Sequence, residues 1–299
     1  MGYINKLFCG KNEKDINIIE DIEKIINNNE SMLIFDSNEK YYNKSKELLE
    51  NNGYEIIKLN LKDINDGELY NPFVAVQNYY NNKEIDKAIE LINNIFSSLI
   101  GESLNSDPFW EIMASSYLSG LAYHLLSEEK PVTFKSIFKL LLEDSNLKEL
   151  FDKKDVLDPA RVMAGATIYS PNETKGGIIS VAKQKLRNLL NKPQLLEKIS
   201  NDKNIDLKEK LQVIFIINLE TNEESNKLTK MYISLFLNLI YENKISYNLV
   251  LDYFDILNNN KYLENDLISS KSNKLNLFVG VNNIDSINKN LFDEIINCD

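Results

Sequence analysis

The amino-acid sequence predicts an α/β fold in which a mostly parallel β-sheet is interrupted by an all-helical segment. Helices alternate with short apolar strands up to about residue 80, strand patterns are absent from about 83 to 192, and the alternation then resumes. Such alternation is typical of parallel sheets, whose strands are buried on both faces. A helical segment of roughly a hundred residues is long enough to form a second domain.

Composition and charge exclude several classes of protein and of binding site. The 299 residues are 43% hydrophobic and 26% charged, so the chain can bury a sizeable core. Its 34 Lys and Arg stand against 45 Asp and Glu, and the formal net charge of -11 opposes nonspecific binding to a phosphate backbone. The single histidine, His124, excludes a two-histidine metal site, and Cys9 and Cys298 are too few for a disulfide framework. No apolar run reaches the roughly 18 residues that cross a bilayer, so we expect a cytoplasmic protein.

The first α/β segment contains four predicted elements. Isoleucines recur at helical spacing, a short apolar run ends at Asp36, and Asn52-Gly53 provides residues that commonly end a helix. A second apolar run follows and is predicted to be a strand. The elements are a helix at 15–28, a strand at 32–35, a helix at 41–51 and a strand at 55–59.

The remaining elements follow from the same periodicities. Lys192-Pro193 closes the helical segment, because proline cannot continue a helix. We therefore predict an α/β domain of residues 1–80 and 193–299 and an all-α domain of residues 81–192. The elements are helices at 109–126, 133–143, 174–190 and 223–241, and strands at 211–217, 247–251 and 275–281.

Four short motifs occur in order along the chain. They are Asp36-Ser37-Asn38-Glu39 after the first strand, Gly53-Tyr54 before the second, Asn71-Pro72-Phe73, and Asp107-Pro108-Phe109-Trp110 at a helix start. In this order and spacing they resemble motifs of the type IV coupling proteins, the ATPases of conjugative DNA transfer and type IV secretion. The resemblance implies a P-loop NTPase fold of the RecA-like type with an inserted all-α domain. It also implies a component of a conjugation apparatus encoded on a mobile element.

The phosphate loop that the resemblance implies is altered. In the family it ends in Gly-Lys-Thr or Gly-Lys-Ser, whereas the corresponding segment here ends in Lys14-Asp15 and keeps one glycine. Glu13 and Asp15 put carboxylates where phosphates would lie, so charge repulsion opposes ATP binding. The nucleotide-site residues that the resemblance implies, in this degenerate form, are Gly10, Lys11, Lys14, Asp36 and Asp252.

The catalytic acid of the family is altered as well. A hydrophobic strand of the family ends in Asp-Glu, where Asp orders magnesium and Glu activates the attacking water. Here the strand at 247–251 is followed by Asp252 and Tyr253, and a neutral phenol cannot act as a general base at pH 7. The Gln that ends the family's next strand corresponds to Asn282. The other interpretation of Asp36 and Asp252 is that they are strand-end acids that cap neighbouring helices.

We therefore expect a pseudo-ATPase without catalytic residues, metal or cofactor, which acts as an adaptor in conjugation or type IV secretion. Its partners would be a transfer ATPase, a relaxase or a secreted substrate, bound through residues 107–190. The alternative is a weak or oligomer-dependent ATPase that binds ATP and magnesium at Gly10, Lys11, Lys14 and Asp252. A remnant of a decayed mobile element is a third interpretation. Contact with DNA, homo- or hetero-oligomerisation and attachment to the membrane through a partner stay open.

Two further features are expected to be structural. His124 lies in a strongly helical pattern, where a lone histidine is usually a packed or solvated side chain. Lys183, Lys185 and Arg187 form a small basic cluster, which we expect to be a solvated helix face rather than a binding site.

Overall fold

The structure is a computed structural model that describes residues 5–9, 18–101, 107–143, 146–203, 207, 211–218, 223–252, 254, 257, 267 and 275–281. The chain divides into two compact units, residues 1–69 together with 206–299, and residues 70–205. We call them the α/β unit and the helical unit. The helical unit extends beyond both boundaries predicted near residues 80 and 193. That the two parts are independently folding domains remains a prediction.

The α/β unit contains one six-stranded sheet among its described residues, and every strand pair in it is parallel. The prediction of a mostly parallel sheet is therefore confirmed. The strand order is β1-β6-β5-β2-β4-β3. The elements are β1 (Asn5–Cys9), α1 (Ile19–Asn27), β2 (Ser31–Asp36), α2 (Lys40–Asn51), β3 (Glu55–Asn60), β4 (Gln212–Ile217), α12 (Glu223–Asn243), β5 (Tyr247–Leu251) and β6 (Asn276–Val281).

The central strands are apolar on both faces because both faces of the sheet are covered. Every residue of β2, β4 and β5 is buried, which explains their nearly continuous apolar runs. On one face, Met32 and Ile34 of β2 join a core with Ile22 and Ile26 of α1 and Tyr41 of α2. The amphipathic spacing of the first two helices is thus what packs them on this face.

The strand order creates a switch point between β5 and β2. From β2 the chain crosses to β3 at one edge of the sheet, whereas from β5 it crosses to β6 on the other side. Parallel crossovers are right-handed, so connections that leave in opposite directions pass over opposite faces of the sheet. In open α/β sheets, a crevice forms outside the carboxyl ends of the strands at such a point, and ligands bind there.

The helical unit contains no strand among its described residues. Its longest helix, α5, is buried over most of its length and packs against α8. A Cβ added at Gly120 of α5 would lie 2.6 Å from the Cβ of Ala164 in α8, so the glycine allows this close approach. The elements are α3 (Phe73–Asn81), α4 (Ile85–Ile100), α5 (Phe109–Ser127), α6 (Phe134–Leu142), α7 (Leu147–Asp152), α8 (Pro159–Ile168), α9 (Asn172–Lys185), α10 (Arg187–Leu190) and α11 (Pro193–Lys198).

Except for one helix, the predicted elements agree with the observed ones to within about four residues at their ends. Helices α3, α4, α7, α8 and α11 were not predicted individually, and Pro193 begins α11 instead of closing the helical segment, because proline is well suited to the first position of a helix. Strand β1 was not predicted, because its five residues, with Lys6 among them, form too short an apolar pattern. The helix predicted at 174–190 is instead two helices separated by Leu186, whose φ of -100° and ψ of 4° depart from helical values.

Candidate functional site at the switch point

Two acidic residues meet at the carboxyl ends of β2 and β5. Asp36 ends β2, and Asp252 follows β5 directly. The two strands pair in register, with Phe35 opposite Leu251, and the backbone N–H of Asp252 donates to the carbonyl of Phe35 at 3.1 Å. Residues that are far apart in the sequence are thereby brought to one crevice.

Asp36 caps the N-terminus of α2. Its Oδ1 accepts a hydrogen bond from the backbone N–H of Lys40 at 2.9 Å, and its Oδ2 accepts one from Tyr42 at 2.8 Å. Two of the backbone N–H groups that lack a partner at a helix start are therefore satisfied. The side chain is fully buried, with 0% exposure.

Asp252 accepts from two hydroxyl groups, one in the β2–α2 connection and one in the first turn of α2. The Ser37 hydroxyl donates to Oδ2 at 2.8 Å, and the Tyr41 phenol makes a longer contact of 3.4 Å with Oδ1. Asp252 is 4% exposed and Ser37 is 3% exposed. The sequence alone did not identify Ser37 and Tyr41 as partners of Asp252. The only local indication is that Ser37 directly follows a strand-end acid.

The environment of Asp36 and Tyr41 raises the cost of ionising them. Burial raises the pKa of Asp36; the Tyr42 N–H opposes this and the charge of Asp252 adds to it, giving a pKa of about 6. Burial and the charge of Asp252 also raise the pKa of the Tyr41 phenol. Tyr41 is therefore a neutral hydrogen-bond donor toward Asp252 at ordinary pH.

The turn between β2 and α2 has an unusual backbone. Glu39 has a φ of 57°, in the left-handed region that favours glycine. Its carboxylate lies 2.5 Å from the ammonium of Lys58 in β3, which also contacts Asp66 at 2.6 Å and lies 4.2 Å above the ring of Tyr42. Burial lowers the pKa of Lys58, but its hydrogen bonds to Asp66 and Glu39 outweigh burial and raise that pKa overall. These contacts fasten the turn to β3.

Polar residues continue along this edge of the sheet. Asn60 ends β3, and its Oδ1 accepts from the backbone N–H of Lys62 and of Asp63. Asn218 follows β4, and its Nδ2 donates to the hydroxyl of Thr229 in α12 at 2.8 Å. The strands β5, β2, β4 and β3 are adjacent, so their ends form a continuous polar edge. The sequence predicted only the two aspartates in it.

The predicted site residues fall in two groups. Asp36 and Asp252 are brought together, whereas the phosphate-loop residues and those that follow β5 and β6 lie outside the described part of the chain. Those residues are Gly10, Lys11, Glu13, Lys14, Asp15, Tyr253 and Asn282. Among the described residues, no group of three or more His, Cys, Asp and Glu could hold a metal ion.

The two features expected to be structural lie in the helical unit. His124 is buried, and burial together with the nearby Lys154 lowers its pKa. Lys185, a member of the basic cluster, forms an ion pair of 3.2 Å with the buried Glu111 of α5. That lysine therefore joins α9 to α5 instead of facing solvent alone.

Comparison with solved structures reveals the same fold. The chain matches the bacterial conjugative coupling protein TrwBdeltaN70 in a trigonal form with sulphate, at a TM-score of 0.61 and 14% identity, over 97% of this chain and 64% of that chain. It also matches plasmid coupling protein TrwB in complex with ADP and Mg2+, at a TM-score of 0.59 and 14% identity, with the same coverage. The chain thus spans a little less than two thirds of these structures. The fold is that of a P-loop NTPase-like coupling protein.

Comparison of sequences gives the family. No curated protein matches the chain. Among the described residues, no helix is both long and apolar enough to cross a membrane. The model of the family described as Type IV secretory system Conjugative DNA transfer matches residues 21–248, which is most of the chain and includes Asp36. The chain therefore belongs to the type IV secretory system conjugative DNA transfer family, that of the coupling proteins.

Proposed function

We propose that this member of the family is a pseudo-ATPase that acts as a non-catalytic adaptor in conjugative DNA transfer or type IV secretion. One observation carries the proposal. Both acids at the switch point are engaged by hydrogen-bond donors of the protein itself, Asp36 by the backbone of α2 and Asp252 by Ser37 and Tyr41. They act as structural acceptors that tie α2 to the ends of two strands.

This arrangement does not fit a magnesium ion. Magnesium requires near-octahedral oxygen ligands, usually including several waters. Asp36 is fully buried and Asp252 almost so, which leaves little access for those waters. TrwB, by comparison, has been solved with ADP and Mg2+. The altered residues Glu13, Asp15 and Tyr253, identified from the sequence, also oppose the binding of ATP and magnesium.

The alternative is a weak or oligomer-dependent ATPase that uses Gly10, Lys11, Lys14 and Asp252. It is favoured by the likeness in fold to plasmid coupling protein TrwB in complex with the ATP analogue ADPNP, at a TM-score of 0.58. In that case ATP and magnesium would be its cofactors. It would couple hydrolysis to the transfer of a DNA or protein substrate.

A nucleotide titration separates the two functions. Thermal unfolding and calorimetry of the full chain with magnesium ATP, ADP and ADPNP should reveal neither a shift nor heat at millimolar nucleotide. A coupling protein that binds ADP, measured in parallel, controls for detection. A saturable shift that disappears in Lys11→Ala/Lys14→Ala would contradict the pseudo-ATPase and favour the alternative.

The adaptor role is supported by the surface of the helical unit. Nine large hydrophobic side chains are exposed among the described residues, and all lie between positions 109 and 169. Exposed apolar patches commonly mark sites of protein association. Leu157 is 80% exposed, on a turn in which its N–H donates to the Asp155 carboxylate. We propose that a transfer ATPase, relaxase or secreted substrate binds this unit, within residues 107–190.

Binding to purified transfer proteins tests this surface. Phe109→Asp/Leu157→Asp should weaken capture of a transfer ATPase or relaxase from the same mobile element, because each Asp would have to be desolvated. Glu47→Ala, at an exposed position of α2 in the α/β unit, is the matched control and should bind normally. Equal binding by both variants would place the contact elsewhere.

A further inference from the structure

We propose that Asn52 is a site of spontaneous deamidation, in which the backbone nitrogen of Gly53 attacks its side-chain amide. Asn followed by Gly occurs once in the chain. Both residues are exposed at the end of α2, and a Cβ added at Gly53 would meet nothing within 4 Å. Because glycine has no side chain, its backbone nitrogen is the least hindered of any residue. The reaction would occur whether or not the chain is a pseudo-ATPase.

The reaction consumes only water. The nitrogen of Gly53 gives up its proton and bonds to Cγ of Asn52, the bond from Cγ to Nδ2 breaks, and Nδ2 leaves with that proton as ammonia. Water then opens the resulting cyclic imide at either of its carbonyl carbons. One product is an ordinary aspartate at position 52. The other is isoaspartate, whose main chain runs through the former side chain and contains an additional CH2 group.

The folded structure slows this attack. The N–H of Gly53 donates to the carbonyl of Glu50 at 3.1 Å, and the ψ of Asn52 is 9°. The nitrogen must therefore leave that carbonyl, and ψ must rotate, before the nitrogen reaches Cγ. Helix ends are among the parts of a protein that open locally at low cost in free energy. We expect Asn52 to react in the folded chain through such openings, and more slowly than in the unfolded chain.

Two other helix ends share the backbone geometry of this one. Helix α1 ends at Asn28-Asn29 and α3 at Asn82-Lys83, and all four residues are exposed. The ψ of Asn28 is -4° and that of Asn82 is 2°. The residue that follows is left-handed in each case, with a φ of 58° at Asn29, 67° at Lys83 and 75° at Gly53. The side chain of that second residue should therefore decide which asparagine reacts.

Deamidation would loosen the end of α2. Both products lose the Nδ2 donor, which bonds to the carbonyl of Leu48 at 2.8 Å. Both also place a carboxylate at the C-terminus of a helix, where the macrodipole is unfavourable to negative charge. Isoaspartate further lengthens the main chain before Tyr54, a buried residue whose N–H donates to the carbonyl of Leu49 at 3.1 Å. The affected helix is the one whose first turn caps Asp36.

Peptide mapping of the full chain, incubated in its folded state at mildly alkaline pH, tests the site. Asn52 should become heavier by about 1 Da, with separate aspartate and isoaspartate products, whereas Asn28 and Asn82 should keep their amides. Incubation in guanidinium chloride should speed the conversion of Asn52. The proposal would be overturned if Asn52 kept its amide in the folded chain through many times the period in which the unfolded chain loses it. Conversion of Asn82 at the same rate as Asn52 would also overturn it.

A reciprocal pair of variants provides a second measurement. Gly53→Lys gives the end of α2 the residue pair found at the end of α3, where lysine already adopts a φ of 67°, and should lose the conversion at Asn52. Lys83→Gly should create a conversion at Asn82. Thermal unfolding should shift to lower temperature when the wild-type chain is aged, and aged Gly53→Lys should show no such shift. A Gly53→Lys variant that deamidates as fast as wild type would contradict attack by the Gly53 nitrogen.

Discussion

The two units of the molecule differ in what they bury and what they expose. The helical unit has a net charge of -1 and exposes nine large hydrophobic side chains, whereas the α/β unit has 18 Lys and Arg against 28 Asp and Glu, a net charge of -10, and exposes none among its described residues. Net charge promotes solubility, while exposed apolar area promotes association. The whole-chain charge of -11 therefore comes almost entirely from the α/β unit, and the helical unit is nearly neutral.

The units also differ in their buried polar groups. In the α/β unit the buried acids at the strand ends accept hydrogen bonds from helix α2 and its connection. In the helical unit, Gly120 brings α5 close to Ala164 and the backbone of α8, and the hydroxyl of Ser116 in α5 donates to the carbonyl of Met163 in α8 at 2.9 Å. The hydrogen bonds hold polar side chains at the strand ends of the α/β unit. The packing of α5 on α8 supports the exposed hydrophobic side chains of the helical unit.

The largest effect is expected in the helical unit. Gly120→Val should destabilise it by at least about 3 kcal/mol, because the new side chain would overlap Ala164 and the backbone of α8. Urea unfolding followed by circular dichroism measures the change. Gly176→Ala is the matched control, since a Cβ there meets nothing within 4 Å and alanine favours a helix interior. A Gly120→Val protein as stable as the control would show that the packing is looser than the structure indicates.

The next effect is a pH dependence in the α/β unit. The pKa of Asp36 is about 6 in the folded protein, above its ordinary value of about 3.9. The folded state binds this proton more tightly, so the stability it contributes is present below about pH 4 and lost as the pH rises through 6. Asp36→Asn cannot ionise, so its free energy of unfolding relative to wild type should rise by up to about 3 kcal/mol between pH 4 and pH 7.

Urea unfolding of both proteins across this pH range measures the swing. Asp252→Asn provides the control, because removing the neighbouring negative charge should lower the pKa of Asp36 and make the swing smaller. A difference between Asp36→Asn and wild type that does not vary with pH would show that Asp36 ionises like an exposed acid.

A smaller effect is expected at Ser37. Ser37→Ala removes the 2.8 Å hydrogen bond to Asp252 and leaves a buried carboxylate oxygen with one donor fewer, at a cost of about 2 kcal/mol. Tyr41→Phe should cost less, because its contact with Asp252 is longer, at 3.4 Å. Ser180→Ala, at an exposed position of α9, should be neutral. The reverse order for Ser37 and Tyr41 would contradict the geometry of the crevice.

The smallest change in stability is expected at two residues with a left-handed backbone conformation, one in each unit. Glu39 has a φ of 57° and Glu129 a φ of 54°. Glu129→Gly should stabilise the protein by up to about 1 kcal/mol, since glycine adopts this conformation without strain. Glu39→Gly should gain less, because it also removes the contact with Lys58. Thermal unfolding of the two variants measures the difference, and an equal gain would show that the Lys58 contact contributes nothing.

Local patterns in the sequence predicted much of the fold. The apolar runs of β2, β4 and β5 predicted buried strands because each strand is covered on both faces. Thr133 predicted the start of α6, and its side chain forms a capping box with Ser136. β1 escaped prediction, since its place in the sheet depends on pairing with β6 at the far end of the chain. The same applies to Ser37 and Tyr41, whose partner Asp252 is distant in the sequence.

The sequence by itself determined the parallel α/β class, the two strand-end acids and the resemblance to coupling proteins. These rest on periodicity, capping and short motifs, which are local properties of the chain. Only the tertiary structure decided that Asp36 and Asp252 meet, because strand order places β5 beside β2. Only the tertiary structure decided that Val162 and Tyr169 are exposed, because α8 has two faces and the packing of α5 against one of them leaves the other to solvent.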